Sequence, residues 1–502
     1  MKKAMKKLMA ALLAVAMVCA MAIPAFADGS SSTSSAAVTR YTITAPANGH
    51  TYEIYQIFTG DYDALQPSML TNIKWGKNGT GTAGDAVEQT VLDALSKVAS
   101  YTSDSDKLDV IEKYVTLTNP VETITNGGSV EVVGGYYLIK DKDGTVPSSA
   151  AYTPYIVSVV GNVYITPKSN EVPKFTKKLK DTNDTTGVIT GWQDSADYDI
   201  GDKIPFRLQG TVSADYASYS KYYYAFHDVE EKGLTFDSSS VEVFVGDEVT
   251  GTKIDASNYT VVTSPTDGCT FEIVFDDLKN ISIVTAKSII TVTYESTLNT
   301  DAVLGAQGNV NTAKLEYSNN PRGNGTGTTP WDNVIVFTYK VVVNKVDQAG
   351  QPLEGAEFTL TKKLKDGTEV DMPMNIDTSN KALFTLSGLD DGEYTLTETV
   401  TPAHYNTISP ITFTVNADHT ITWGAESRDS ILTSLSGNTA SGEITFTPNT
   451  ADGSLTTKVI NKIGTTLPGT GGIGTTIFYV IGGGLMVAAA ILLITKKRME
   501  NR

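Results

Sequence analysis

Three polar side chains stand where strand periodicity would put apolar ones. Val341, Val343 and Lys345 share parity, so an extended backbone turns the lysine to the same face as two valines. Tyr394, Leu396 and Glu398 repeat the pattern, and Val459, Asn461 and Ile463 repeat it again. An unpaired polar group costs about 2–7 kcal/mol to bury. The three are most simply accounted for by meeting one another. Parity leaves two chemistries open. One is a buried Lys345–Glu398 ion pair with Asn461 nearby. The other is covalent: burial lowers an amine's pKa and raises an acid's, so the pair can exist as neutral amine and protonated acid. Lys345 could then attack the side-chain amide carbon of Asn461, with Glu398 polarising the carbonyl and shuttling protons while ammonia leaves. The product is an isopeptide bond between two strands distant in sequence. By analogy with a disulfide closing a loop of about 100 residues, it is worth on the order of 5 kcal/mol.

The elements that must hold these groups are strands. Residues 336–464 carry short strands at intervals of roughly 8–12 residues, the spacing of a β-sandwich. Upstream, residues 171–335 alternate strands with turns such as Thr266-Asp267-Gly268 and end in the Gly/Asn-rich stretch Asn319–Thr329. Residues 28–170 open on two strands around Asn48-Gly49, between Tyr41 and Phe58, and resume as strands at Ser129–Lys140 and Tyr155–Ile165. Between them Val87, Val91, Leu92, Leu95 and Val98 recur at helical spacing, which predicts a helix over Asp85–Ser100 with Asp85 and Glu88 as its capping pair. A second, shorter helix is expected over Lys107–Val115. The whole reads as a rod of β domains.

A second set of polar residues lies on apolar faces of the middle region. Lys177 is in phase with Phe175 and Leu179; Asp228 with Tyr222, Tyr224 and Phe226; Asn311 with Ala313, Leu315 and Tyr317. Asp202 and Asn309 are competing choices, and the adjacent Lys178 blurs the first assignment. The first domain has no lysine between Tyr41 and Ile73, so no Lys–Asn bond is expected from its opening strands.

Both ends look processed. Lys2, Lys3, Lys6 and Lys7 precede an apolar stretch from Leu8 to Ile23 and the small-residue site Ala25-Phe26-Ala27, the layout of a secretory signal peptide over residues 1–27. At the other end, residues 465–502 hold Leu467-Pro468-Gly469-Thr470-Gly471, an uncharged run from Ile477 to Ile494, and Lys496-Lys497-Arg498. The run is about long enough to span a bilayer as a helix, and the basic cluster would hold the C-terminus on the cytoplasmic side. Removing both ends takes eight basic residues and one acidic one, which leaves 31 basic against 55 acidic, a net of −24. That acidity argues against nucleic acid and anionic membrane surfaces as partners. Only Cys269 survives processing, so no intrachain disulfide can form.

These features resemble a known family. Pentapeptide, span and basic tail are similar to the cell-wall sorting signal of Gram-positive surface proteins. The resemblance implies cleavage between Thr470 and Gly471 by a sortase and transfer of the Thr470 carbonyl to an amine. Lys345-Val346-Asp347 with Pro352-Leu353-Glu354-Gly355-Ala356-Glu357-Phe358 resembles the opening of CnaB-type domains, and Tyr394–Tyr405 resembles their E-box. The E-box ends here as Thr401-Pro402-Ala403-His404-Tyr405, not in the usual Ala-Pro-x-Gly-Tyr, but Glu398 is in place. The family then assigns an isopeptide bond to Lys345, Glu398 and Asn461. The middle region resembles the CnaA-like domain of shaft pilins, which would give Lys177, Asp228 and Asn311 the same three roles. Finally, Val163-Tyr164-Ile165-Thr166-Pro167-Lys168-Ser169-Asn170 resembles the pilin motif, although Thr166 replaces its Tyr and Ser169 intervenes before Asn170. Lys168 would then bond to Thr470 of the next subunit, with Lys174 its nearest rival.

The resemblance implies a fold of tandem Ig-like sandwiches, CnaB-like with a helical insertion, CnaA-like, then CnaB-like. The function it implies is that of a major pilin backbone subunit. Its partners would be pilin-class and housekeeping sortases, further copies of itself, accessory pilins and peptidoglycan. The alternative is a monomeric wall-anchored adhesin or an accessory pilin, which needs no pilin lysine. An enzyme is not expected, nor a cofactor. His50, His227, His404 and His419 show no metal-ligand spacing, and neither a nucleophile elbow nor a phosphate loop is present.

Overall fold

Alternation sets the sheets. Along Lys203–Thr211 the residues Ile204, Phe206 and Leu208 are buried while their neighbours are not, so one face of the strand meets the core and the other meets water. The computed structural model describes residues 39–62, 70–98, 100–101, 104–147, 150–152, 155–165, 172–321, 323–419, 431–440, 442–464 and 473–500. The signal segment, Lys168 and the pentapeptide 467–471 lie outside the described residues.

The chain is mainly β and forms three sheet pairs in sequence order. In the first, a three-stranded sheet built on Arg40–Thr44 packs with a five-stranded sheet built on Thr51–Tyr62. Helices Gln89–Val98 and Asp104–Ile111 bury Leu95, Val98 and Ile111 against Trp75 and Phe58. The first helix starts later than its periodicity suggests. Residues 85–87 are instead tied to the neighbouring strand, through Trp75 N–H to Asp85 O, Val87 N–H to Ile73 O and a bridge of Ala86 to Lys74. Glu88 Oε2 accepts the Trp75 indole N–H at 3.0 Å, so its side chain serves the core and not a capping box. The second helix ends at Ile111 and tightens into a 3₁₀ turn over Glu112–Tyr114.

In the middle domain a five-stranded sheet faces a seven-stranded one. The five run in the order Thr252–Lys253, Leu234–Val245, Ile289–Leu298, Lys203–Thr211 and Phe175–Leu179. The seven are centred on Tyr224–Glu230 and Asn309–Ser318. The strand Asp332–Phe337 lies between Ser195–Asp197 and Asn309–Ser318 in this sheet, so pairing within the middle domain continues to Phe337. After Thr338 the strand Tyr339–Asp347 opens the third pair, two five-stranded sheets. Middle and third domains touch backbone to backbone: a Cβ on Gly305 (φ +75°) would lie 2.3 Å from the Gly453 nitrogen. Only glycine permits that approach. The last helix, Ile473–Glu500, contains a membrane-length apolar window, Phe478–Met499, none of it buried against the domains.

Candidate functional site

In the third domain the first and last strands are neighbours. Tyr339–Asp347 runs parallel to Ser454–Asn461, with Lys345 opposite Val459 and Asp347 opposite Asn461. Lys345 and Asn461 both turn inward and are fully buried, and Glu398 reaches them from the facing sheet at 5% exposure. Asn461 Nδ2 donates to the two Glu398 oxygens at 2.9 and 3.1 Å. Glu398 Oε2 also accepts the Ile408 N–H at 3.1 Å, which fixes the carboxyl in place. Lys345 Nζ donates to Val459 O at 3.1 Å, a single bond for a group that carries three donors when charged. Burial pushes this amine down to about 8, against the pull of Glu398. Ile463 departs from the parity reading: the strand ends at Asn461 and Ile463 is exposed.

The middle domain holds a drier cluster. Lys177, Asp228 and Asn311 are all fully buried. Lys177 comes from the five-stranded sheet, Asp228 and Asn311 from the facing one. Lys177 Nζ lies 2.5 Å from Asp228 Oδ2 and 2.7 Å from Tyr294 Oη, beside the stacked rings of Phe206 and Tyr294. Tyr294 donates to Asp228 Oδ2 at 2.9 Å and accepts from Asn311 Nδ2 at 2.9 Å. The amide N–H of Asn311 also reaches Glu230 Oε1 at 3.1 Å. Desolvation lowers the Lys177 amine, opposed chiefly by Asp228. Desolvation raises Asp228, opposed by Lys177, and raises Glu230 to about 8 with help from the Asp228 charge. Asp228 Oδ1, Glu230 Oε2 and Asn311 Oδ1 accept no hydrogen bond among the described residues. A protonated acid turned toward the Asn311 carbonyl would satisfy one of these acceptors and polarise the amide in the same act.

The competing residues go elsewhere. Asn309 is committed to backbone, accepting from Val303 N–H and donating to Val303 O and Val336 O. Asp202 Oδ2 accepts the Asp199 N–H at the junction with the third domain. Lys178 points to the other face and pairs with Asp194. Sequence reasoning missed Tyr294 and Glu230. Glu230 shares parity with Phe226 and Asp228, so that signal was available; a tyrosine between Val292 and Ser296 reads as ordinary core.

A third buried lysine behaves differently. Lys362 Nζ meets Asp199 and Asp390 at 2.5 Å each and Asp184 at 3.2 Å. Burial would lower its pKa, but the carboxylates, Asp390 foremost, raise it above the ordinary lysine value. It is a charged clasp between the middle and third domains.

Residues 200–321 match the family model of a Gram-positive pilin backbone subunit 2, Cna-B-like domain, and residues 339–428 match that of a prealbumin-like fold domain. The middle region therefore carries a Cna-B-like description where its sequence suggested CnaA, and the β-sandwich is common to both. A trypsin-resistant surface T6 protein of Streptococcus pyogenes serotype M6 is 26% identical over 294 residues, 53% of this chain and 50% of the relative. The alignment thus spans about half the length of that relative. In fold, the chain is similar to the T6 backbone pilin of serotype M6 Streptococcus pyogenes, described as a modular three-domain structure. The TM-score is 0.51 at 17% identity, over 85% of this chain and 98% of that one.

Proposed function

We infer that this chain, a relative of the Gram-positive backbone pilins, is the major backbone subunit of a covalent surface fibre. The observation that carries the reading is the pair of buried Lys–acid–Asn clusters, each joining an early strand of its domain to a late one. Such clusters are what a load-bearing subunit needs where no disulfide is available.

Each internal bond forms once, on the protein itself. Neutral Lys345 Nζ attacks Cγ of Asn461, Glu398 passes a proton to the departing nitrogen, and ammonia leaves as the new C–N bond replaces the old one. In the middle domain Lys177 attacks Asn311, with Asp228 as the proton carrier and Tyr294 as the relay that touches all three groups. Between subunits, a pilin-class sortase breaks the Thr470–Gly471 peptide bond and holds the Thr470 carbonyl as an acyl-enzyme. The amine of Lys168 from another subunit takes that carbonyl and frees the enzyme. The segment from Gly471 onward, with its apolar helix, leaves as a new N-terminus. A head-to-tail linkage of this kind does not close on itself and propagates as a filament. A housekeeping sortase would pass the last Thr470 to peptidoglycan and fix the fibre to the wall.

The test is a blot of wall extracts from a sortase-equipped Gram-positive host, boiled in detergent, with and without Lys168→Ala. A high-mass ladder in the parent chain that vanishes in the variant is expected. A ladder in both moves the linkage to another lysine such as Lys174. A single band in both makes the protein a monomeric anchored adhesin and overturns the reading.

A further inference from the structure

The junction between the middle and third domains buries more carboxylates than Lys362 can answer. Asp181 and Asp197 belong to the middle domain; His419 ends the strand Ile411–His419 of the third. Far apart in sequence, they converge in the fold: one carboxylate oxygen each from Asp181 and Asp197 and one ring nitrogen of His419 lie within 4.8 Å of one another. Asp197 is 2% exposed, and its Oδ2 accepts no hydrogen bond among the described residues. Asp181 Oδ1 is likewise without a donor, and the fully buried Tyr339 hydroxyl lies against the Asp197 carboxyl. Two carboxylates in a dry cleft with unmet oxygens call for a positive charge.

His419 is placed to be a ligand and not that charge. Its Nδ1 lies 2.7 Å from Ser195 Oγ, and its Nε2 faces Asp181 Oδ2 at 3.7 Å. With Nδ1–H donating to Ser195, the Nε2 lone pair turns to the carboxylates, the arrangement a metal-bound histidine usually has.

The other acidic clusters explain themselves. Asp184, Asp199 and Asp390 already surround Lys362 Nζ. His227 is bonded on both ring nitrogens, to Asp267 and Glu272 through Nδ1 and to Glu316 through Nε2, as an imidazolium would be.

We propose that Asp181, Asp197 and His419 form a site for one divalent transition-metal cation of the zinc or manganese class, which pins the middle domain to the third. One nitrogen and two carboxylate donors suit such ions better than calcium, which takes oxygen ligands. Ligand atoms bound at about 2.0–2.2 Å stand roughly 3–4 Å apart, so a pair at the 4.8 Å limit must close by roughly 1–2 Å. No covalent chemistry is involved; the cation neutralises the carboxylates and couples the two bodies.

The test uses the mature chain, Asp28–Thr470, since the apolar helix beyond it buries nothing against the domains. After chelator treatment and dialysis it is titrated calorimetrically with Zn²⁺, Mn²⁺ and Ca²⁺. One Zn²⁺ or Mn²⁺ per chain is expected, with a rise in Tm at saturation and weak or no calcium binding. His419→Ala should weaken Zn²⁺ binding at least tenfold and Asp197→Asn at least a hundredfold, while His227→Ala leaves it unchanged. Absence of saturable one-to-one binding in the parent chain overturns the proposal. So does binding that survives both junction substitutions, or that disappears with His227→Ala. If Asp197→Asn does not fold, the partly exposed His419 position decides the matter alone.

Discussion

The two lysine–acid–asparagine clusters differ in what they tie together. In the third domain Lys345 and Asn461 sit on adjacent parallel strands of one sheet, and the acid reaches over from the other. In the middle domain Lys177 and Asn311 sit on opposite sheets, and the acids stand beside the asparagine. A bond in the first case clamps the two end strands side by side. A bond in the second staples the sandwich through its core. Both would divert tension from most of the domain. Load entering at Tyr339 would cross from Lys345 to Asn461 without pulling on the chain between. Geometry also sets the surroundings: the Lys345 amine makes one hydrogen bond among the described residues, whereas the Lys177 amine lies beside two stacked rings and against two oxygens.

The largest effect should come from removing the deeper lysine. Lys177→Met deletes a bond worth on the order of 5 kcal/mol and strands Asp228 and Glu230 in the core, a further penalty of about 3–5 kcal/mol. The middle domain's Tm should fall by at least 10 °C by scanning calorimetry, at about 2–4 °C per kcal/mol for a domain of this size. The chain should also retain one more ammonia in its mass. Glu398→Ala should likewise restore one ammonia, but with a smaller loss of Tm, because the remaining Lys345 lies near the domain end. Equal losses would show that the two sites are energetically alike and that the contrast drawn from their surroundings is wrong.

Lys362 sharpens the comparison from the other side. Its amine is held charged by three carboxylates, where the other two lysines are pushed toward neutrality. Lys362→Met should destabilise the junction by about 3–5 kcal/mol while leaving the ammonia deficit of the protein unchanged. A mass change in that variant would mean that charge state does not separate a reactive buried lysine from a structural one.

The smallest effect concerns pH. His227 is desolvated, which lowers its pKa, but Glu316, Glu272 and Asp267 outweigh this and raise it above 6.5. Its stabilisation is therefore complete below about pH 6.5 and is lost as the pH climbs through the raised folded-state value. Urea midpoints of the middle domain should decline across that interval in the parent chain, and His227→Gln should flatten the decline. An unchanged slope would assign the pH dependence to other groups.

How much of this was legible from sequence follows from what each signal measures. Parity finds side chains that share a face, and it placed Lys345, Glu398 and Asn461 on faces that meet in the core. It extended one residue pair too far at Ile463, because periodicity does not show where a strand stops. For the middle domain it could not rank Asp228 against Asp202, or Asn311 against Asn309. What separates the candidates is neighbours distant in sequence, such as Val336 O taking the Asn309 amide. Tyr294 was invisible for the same reason: its hydroxyl matters only once three strands converge on it. The helix start at Gln89 was misplaced because residues 85–87 are drawn into strand pairing by Leu70–Trp75, a tertiary effect that helix propensity does not contain.

The central claim is that both clusters react. Intact-mass spectrometry of the mature chain, expressed without any sortase, tests it most directly. A mass short of the sequence value by two ammonia molecules, with the two cross-linked peptides Lys177–Asn311 and Lys345–Asn461 recovered after digestion, is the predicted result. A full sequence mass would contradict the account and leave two buried ion pairs in place of two bonds.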